Sequence, residues 1–248
     1  MAKKCKKATG RRGHMETLGL MFKTLWAPGE AMFLLSKRPR ALLPLVLMGL
    51  VSLGVGIVAI SKVDVGELAL RQAEQAGRTQ QMSEEQKQRM VQMVRTVGRV
   101  GVGFAAVLPT IVILIATAIY FGIFTMLGRE ANFKTFFAVT TFAYVPIIIR
   151  SFVSLVQVVA VPPSALDLNE IGSLSLALFL DKTAVPRLAY AAATVVDIFS
   201  IWVVILLIIA YKFVTRKSVG TGLRTVAVAG VYFFFSLIGA GLRMLQGG

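Results

Sequence analysis

Between Ala41 and Leu242 the chain carries apolar runs long enough to cross a bilayer, separated by short stretches rich in Lys, Arg, Asp and Glu. A hydrocarbon core of about 30 Å takes roughly 20 mostly apolar residues as helix. Ala41 to Ile60, ALLPLVLMGLVSLGVGIVAI, has that length without one charge. Val100 to Leu127, Phe136 to Val161, Ala191 to Tyr211 and Thr225 to Leu242 supply four more. Lipid offers the backbone no hydrogen-bond partner, so such segments are helices or strands of a closed barrel. Continuous rather than alternating apolar runs select helices. The expected fold is an all-α integral membrane protein with five spans.

Composition agrees: 56% hydrophobic residues and a mean hydropathy of +0.74 exceed the roughly 45 to 50% apolar share of soluble domains. The first run begins behind a long polar segment, so it is expected to remain in the mature protein rather than leave as a signal peptide. The single cysteine, Cys5, allows no disulfide framework. It lacks the apolar run that precedes a lipidated cysteine, and reads as an unmodified thiol.

The formal charge of +15 is unevenly placed. With five spans and a cytoplasmic N-terminus, the tail and cytoplasmic loops carry +13 and the opposite side +2. Lys and Arg near span ends set orientation, which puts the N-terminus in the cytoplasm and a short 243–248 tail outside. The excess reads as topology and attraction to anionic head groups. No aromatic-interleaved basic sheet or zinc-ligand spacing accompanies it, so nucleic acid is not an expected partner.

Residues 1–40 form a basic cytoplasmic region. Leu18, Met21, Phe22 and Leu25 recur at helical spacing, as in a short interfacial helix. Pro28 and Gly29 break it, and Glu30 to Ser36 makes a second piece. Lys37, Arg38 and Arg40 then fall at head-group level, where they contact lipid or a cytoplasmic protein partner. Lys3 to Arg12 has the composition of a disordered tail.

Lys62 to Arg99 is the longest polar excursion. Ser83 and Gln86 form a capping box with Glu84 and Glu85 in the first turn, so a helix begins there. Met90, Met93, Val94 and Val97 extend an apolar face toward the second span, which predicts one unbroken helix projecting outside the membrane. A second excursion, Pro162 to Leu188, holds an apolar stretch, Leu174 to Leu180, too short to cross. Gly54, Gly56, Gly98, Gly101, Gly103, Gly239 and Gly241 allow close helix approach.

Chemistry, if present, is expected at Arg150 and Asp197, because an ionisable group in hydrocarbon is costly. At 1.5 Å per residue, Arg150 lies about 24 Å from Lys134 and Asp197 about 21 Å from Tyr211, the cytoplasmic ends of their spans. Antiparallel helices bring both charges to one level, which predicts an intramembrane ion pair. Pro146, one turn before Arg150, removes a donor and frees the Phe142 carbonyl, so the third span should kink there. Kink and pair either line a water-filled cavity or fix the packing of two spans.

The stretch FFAVTTFAYVPIIIRSFVSLV, with Tyr144 and Pro146, resembles the tyrosine and proline motif of the Yip family of Ypt/Rab-interacting membrane proteins. So does DIFSIWVVILLIIAY, containing Trp202, followed by KFVTRKSVGTGLR and a last span. Pro28, Phe33 and the Arg38–Pro39 pair resemble bacterial members. The resemblance implies five spans, a cytoplasmic N-terminus, no enzymatic activity and the bacterial cytoplasmic membrane. Eukaryotic relatives work with small GTPases and carry an Asp-Leu-Tyr-Gly-Pro motif absent here, so GTPase binding is not carried over.

The residue inventory gives no metal or cofactor set. His14, the sole histidine, sits in the basic tail without a companion ligand. No H-E-x-x-H run, G-x-S-x-G elbow, second intramembrane carboxylate or intramembrane lysine is present. The protein therefore reads as a non-enzymatic adaptor that organises membrane or recruits partners. The alternative is a small transporter or lipid-translocating protein using Arg150 and Asp197.

Overall fold

The computed structural model describes residues 15–75, 77–162, 172–181, 184–217 and 219–247, with backbone alone at Arg187 and over 242–247. The tail containing Cys5, Lys3 to Arg12 and His14 lies outside the described residues, as does 163–171 of the second excursion. The described chain is helical with no strand: α1 (15–26), α2 (Pro28–Lys37), α3 (Leu42–Lys62), α4 (Val65–Gln75), α5 (Glu84–Phe104), α6 (Leu108–Met126), α7 (Phe133–Ala143), α8 (Pro146–Ala160), α9 (Arg187–Val195), α10 (Ile198–Tyr211) and α11 (Thr221–Gly247).

Four stretches among the described residues are long and apolar enough to cross a membrane: Leu42–Lys62, Leu108–Met126, Phe133–Ala160 and Thr221–Gly241. The expected fourth span, from Ala191 to Tyr211, is not one helix. It divides at Val196 and Asp197 into α9 and the 14-residue α10, about 21 Å long at 1.5 Å per residue.

The helix expected to run unbroken from Ser83 into the second span also divides. Its start is as anticipated: Ser83 Oγ accepts from Gln86 N at 3.2 Å and Gln86 Oε1 accepts from Ser83 N at 2.8 Å. It stops at Phe104, where Ala105 N and Val107 N turn back on the Val102 and Phe104 carbonyls. Pro109 supplies the reason, since it cannot donate to the Ala105 carbonyl and its ring crowds that oxygen.

The chain forms two compact units. Unit 1 comprises residues 1–47, 110–147 and 174–248, and its core joins α2, α6, α7, α10 and α11. Met32, Leu35, Phe124, Phe136, Phe142 and Leu207 are among its fully buried side chains. On α1 the expected apolar stripe is split: Met21 is buried with Thr17 and Thr24, whereas Leu18, Phe22 and Trp26 are exposed. The piece read as Glu30 to Ser36 is α2, which packs against α7 and α10.

Unit 2 comprises residues 48–109 and 148–173. The composition of the first excursion hid α4, which pairs with α5. A Cβ on Gly66 would meet the Val91 carbonyl at 2.7 Å, so glycine sets that spacing. Val91 rather than the methionine face is buried here, and Met93 and Val97 are exposed. Of the glycines expected to permit close approach, Gly56 lies against Val102 and Gly98 against Val65, while side chains at Gly54, Gly101 or Gly103 would meet nothing within 4 Å. A further close approach in this unit was not anticipated: Gly49 lies on the Ala106 carbonyl, at the break before Pro109.

Asp64 ties α4 to α5. Its carboxylate accepts from Gly66 N (3.0 Å) and Glu67 N (3.1 Å) and receives Arg95 through Nε at 2.9 Å and Nη2 at 2.5 Å. The Arg95 guanidinium, helped by the two backbone donors, holds the Asp64 carboxyl down at about 2, against an ordinary 3.8. A depressed folded-state value means the pair stabilises the fold above about pH 4 and is lost as pH falls toward 2. The wild-type unfolding midpoint should therefore fall between pH 4 and 2 more steeply than that of Asp64→Asn, and parallel pH profiles would refute the linkage. Both side chains are substantially exposed, so the difference should also shrink in high salt.

Candidate functional site

Asp197 is 2% exposed and lies in extended conformation at φ −112°, ψ 141°. Its Oδ1 accepts from Phe199 N at 2.9 Å and Ser200 N at 3.2 Å, and its Oδ2 from Leu174 N at 2.9 Å. It is the N-cap of α10, placed where the helix dipole favours a negative charge. Around it, Leu176 N bonds the Val196 carbonyl at 3.0 Å and Ile198 N the Leu174 carbonyl at 3.3 Å. The apolar stretch after Ser173 is thus stapled to the start of α10 and contains a short 3₁₀ turn, Leu176–Phe179.

Arg150, in unit 2, is half-buried on α8 and donates through Nε to the Gly172 carbonyl at 3.1 Å. Gly172 N in turn donates to Gln157 Oε1 at 2.5 Å. Gly172 has φ +75°, and a Cβ there would strike Ser154 Oγ. Only glycine fits this niche without strain. Gly172→Ala should cost about 1–3 kcal/mol of stability. Adding Ser154→Ala should recover part of that loss by removing the clash but not the backbone strain, and a double variant as unstable as the single one would contradict this in a thermal-unfolding comparison. The two charges expected to pair belong to different units, and within its own unit each has the partners just named.

At Pro146 the chain passes from α7 to α8. α7 ends at Ala143, Tyr144 N shares the Thr140 and Thr141 carbonyls at 3.2 Å each, and Val145 N takes the Phe142 carbonyl at 3.1 Å. Proline's missing donor is thus compensated by a tighter turn. Tyr144 and Trp202 are half-buried.

Beside this break lies a polar seam that sequence reasoning missed. Tyr211 is fully buried and its Oη sits 2.9 Å from Thr140 Oγ1. Tyr120, 2% exposed, donates to the Val228 carbonyl at 3.1 Å. Rings of Tyr120, Phe124 and Phe136 surround Tyr211 with centroids 5.3, 5.1 and 5.3 Å away. The available signal was the set of hydroxyls, Thr117, Tyr120, Thr140, Thr141 and Tyr211, inside otherwise aliphatic runs, since such groups join helices in lipid. Each hydroxyl here bonds a carbonyl or another hydroxyl. The seam locks α6, α7, α10 and α11 together.

The basic residues before the first span are held in place. Lys37 Nζ lies 5.6 Å from the Phe33 ring centre, Phe33 packs edge-on against Phe213 at 5.9 Å, and Lys212 Nζ lies 5.9 Å from the Phe213 ring. Arg38 closes α2 by donating its backbone N–H to the Leu34 carbonyl. Arg40 pairs with Glu16 at 3.0 Å, and Lys23 pairs with Glu30, joining α1 to its neighbours.

No curated protein and no solved structure matches the chain. The family comparison is more informative: the Yip1 domain model matches residues 22–241. The Tyr144–Pro146 break, the capped α10 and the hydroxyl seam all fall inside that match, on helices suited to lipid. The chain belongs to the Yip1 domain family, as a polytopic integral membrane protein.

Proposed function

We propose that this protein is a non-enzymatic membrane adaptor of the bacterial cytoplasmic membrane, which presents its basic N-terminal helices to a cytoplasmic protein partner. The observation that carries this reading is the burial of α2. Ala31, Met32 and Leu35 are fully buried, and α2 packs on α7 and α10. A partner engaging this segment would be mechanically tied to the spans rather than to a loose tail. Leu18, Phe22 and Trp26 form an outward apolar stripe on α1, suited to the acyl boundary of an interfacial helix. Lys37, Arg38 and Arg40 then lie at the head groups of the anionic leaflet.

The five-span topology belongs to the same proposal. In it, α9 and α10 cross together as one broken span, with the Asp197 cap supplying the acceptors that an interrupted helix needs in lipid. The carboxylate suits this role better than proton transfer, because both its oxygens are engaged by backbone N–H groups.

Two measurements test the adaptor reading. A photo-crosslinker at the exposed Glu30 should recover a specific cytoplasmic protein from living cells, and Lys37→Gln with Arg38→Gln and Arg40→Gln should reduce that recovery about tenfold or more, from three exposed ion pairs worth up to about 1 kcal/mol each. Proteoliposomes should show no lipid or solute flux that depends on Arg150. Arg150-dependent flux would establish the transporter reading instead, and recovery unchanged by the triple substitution would remove the basic segment from recognition.

A further inference from the structure

In unit 1 the connection between α6 and α7 meets the turn between α10 and α11. Arg129 and Thr215 form an isolated antiparallel bridge, Glu130 N and Ala131 N both donate to the Val214 carbonyl at 3.2 Å, and Arg216 N donates to the Gly128 carbonyl at 3.1 Å. An open cavity of about 560 Å³ lies at this junction.

Two guanidinium groups border it, and both are positioned. Arg129 stacks with its guanidinium carbon 4.2 Å from the Phe121 ring centre, while Nη1 donates to Thr125 Oγ1 at 2.9 Å. Of its five N–H donors that bond takes one. Arg216 runs its stem over Gly128, whose φ is +86° and where a Cβ would come within 3.1 Å of Arg216 Cδ. Asn132, the N-cap of α7, completes the rim and brings the positive end of an 11-residue helix. Glu130 is the acid in the lining, set against two arginines.

The location indicates what would bring an oxyanion here. The connection follows Met126, the end of one candidate span, and precedes Phe133, the start of another. Such a position lies at head-group depth in a bilayer. Met126, 89% exposed, borders the cavity and gives its rim an apolar edge that an acyl chain would cover. We propose that this junction binds the phosphate of an anionic phospholipid head group between Arg129 and Arg216. The site is separate from the N-terminal helices and stands whether or not those recruit a protein.

The test uses the full-length protein in nanodiscs of mixed phosphatidylglycerol and phosphatidylcholine, with retained lipids counted by native mass spectrometry. Wild type should retain phosphatidylglycerol preferentially. Arg129→Gln with Arg216→Gln should lower that preference by about five-fold for each arginine, whereas Lys87→Gln, on the polar excursion where the lysine pairs with Glu84, should leave it. Should the double arginine variant not fold, Glu130→Gln decides the matter: removing the acid should raise the preference. An unchanged ratio in Glu130→Gln or in the arginine variant, or an equal loss in the lysine variant, would overturn the site. Displacement of the retained lipid by millimolar inorganic phosphate would assign the cavity to a free anion and overturn the lipid.

Discussion

Tyr211→Ala should destabilise the protein by about 3–5 kcal/mol, the range for removing a fully buried aromatic side chain. Tyr211 has no exposed surface, and its ring touches the rings of Tyr120, Phe124 and Phe136. Within a bilayer, helix association rests on such packing, because lipid tails are as apolar as the side chains that leave them. The cavity left by alanine would border α6, α7 and α10 at once. Tyr211→Phe keeps the ring and loses only the contact to Thr140 Oγ1, so it should cost about 1 kcal/mol or less. Steric-trapping or denaturant unfolding in micelles separates the two. Equal losses would mean that the hydroxyl, not the ring, holds the seam.

The second large effect is expected at Asp197. Asp197→Ala strips the acceptors from Leu174, Phe199 and Ser200. Loss of the cap on Phe199 and Ser200 costs about 0.5–2 kcal/mol, and the one further donor, Leu174, left unpaired about 1–3 kcal/mol more. A total of about 2–5 kcal/mol follows, reduced where water reaches a donor. Asp197→Asn keeps one side-chain oxygen, enough for the α10 cap but not for the bond to Leu174 as well, and should fall between wild type and alanine. Amide hydrogen exchange provides the sharper check: in Asp197→Asn protection at Leu174 should drop while that at Phe199 and Ser200 persists. Uniform loss across all three would show that the carboxylate's charge, rather than its two oxygens, holds this junction.

Helix ends written in a few adjacent residues were legible. The Ser83–Gln86 box and the Pro146 break need only side chains within one turn of the backbone they satisfy, so short windows of sequence contain the whole physics. Pro109 carried the same kind of signal, yet the apolar face running from Met90 toward Val100 masked it, because periodicity reports which side a helix hides and not where it stops. The cost of an ionisable group in hydrocarbon points, from sequence alone, to a charge partner for Asp197. Three backbone N–H groups answer that cost, one of them supplied by Leu174, 23 residues earlier in the chain.

The amino-acid sequence by itself determined the solvent of this protein and the stretches that meet it, because lipid tolerates only long, internally bonded apolar segments. It also determined the breaks at proline and the family to which the chain belongs. Tertiary structure decided the rest. Burial of α2 under α7 and α10, the meeting of Tyr211 with Thr140, and the convergence of Arg129 and Arg216 on one cavity each join residues far apart in the chain. Such contacts depend on how helices pack, and hydropathy, which counts each residue's preference for lipid or water, has no term for which helix becomes the neighbour.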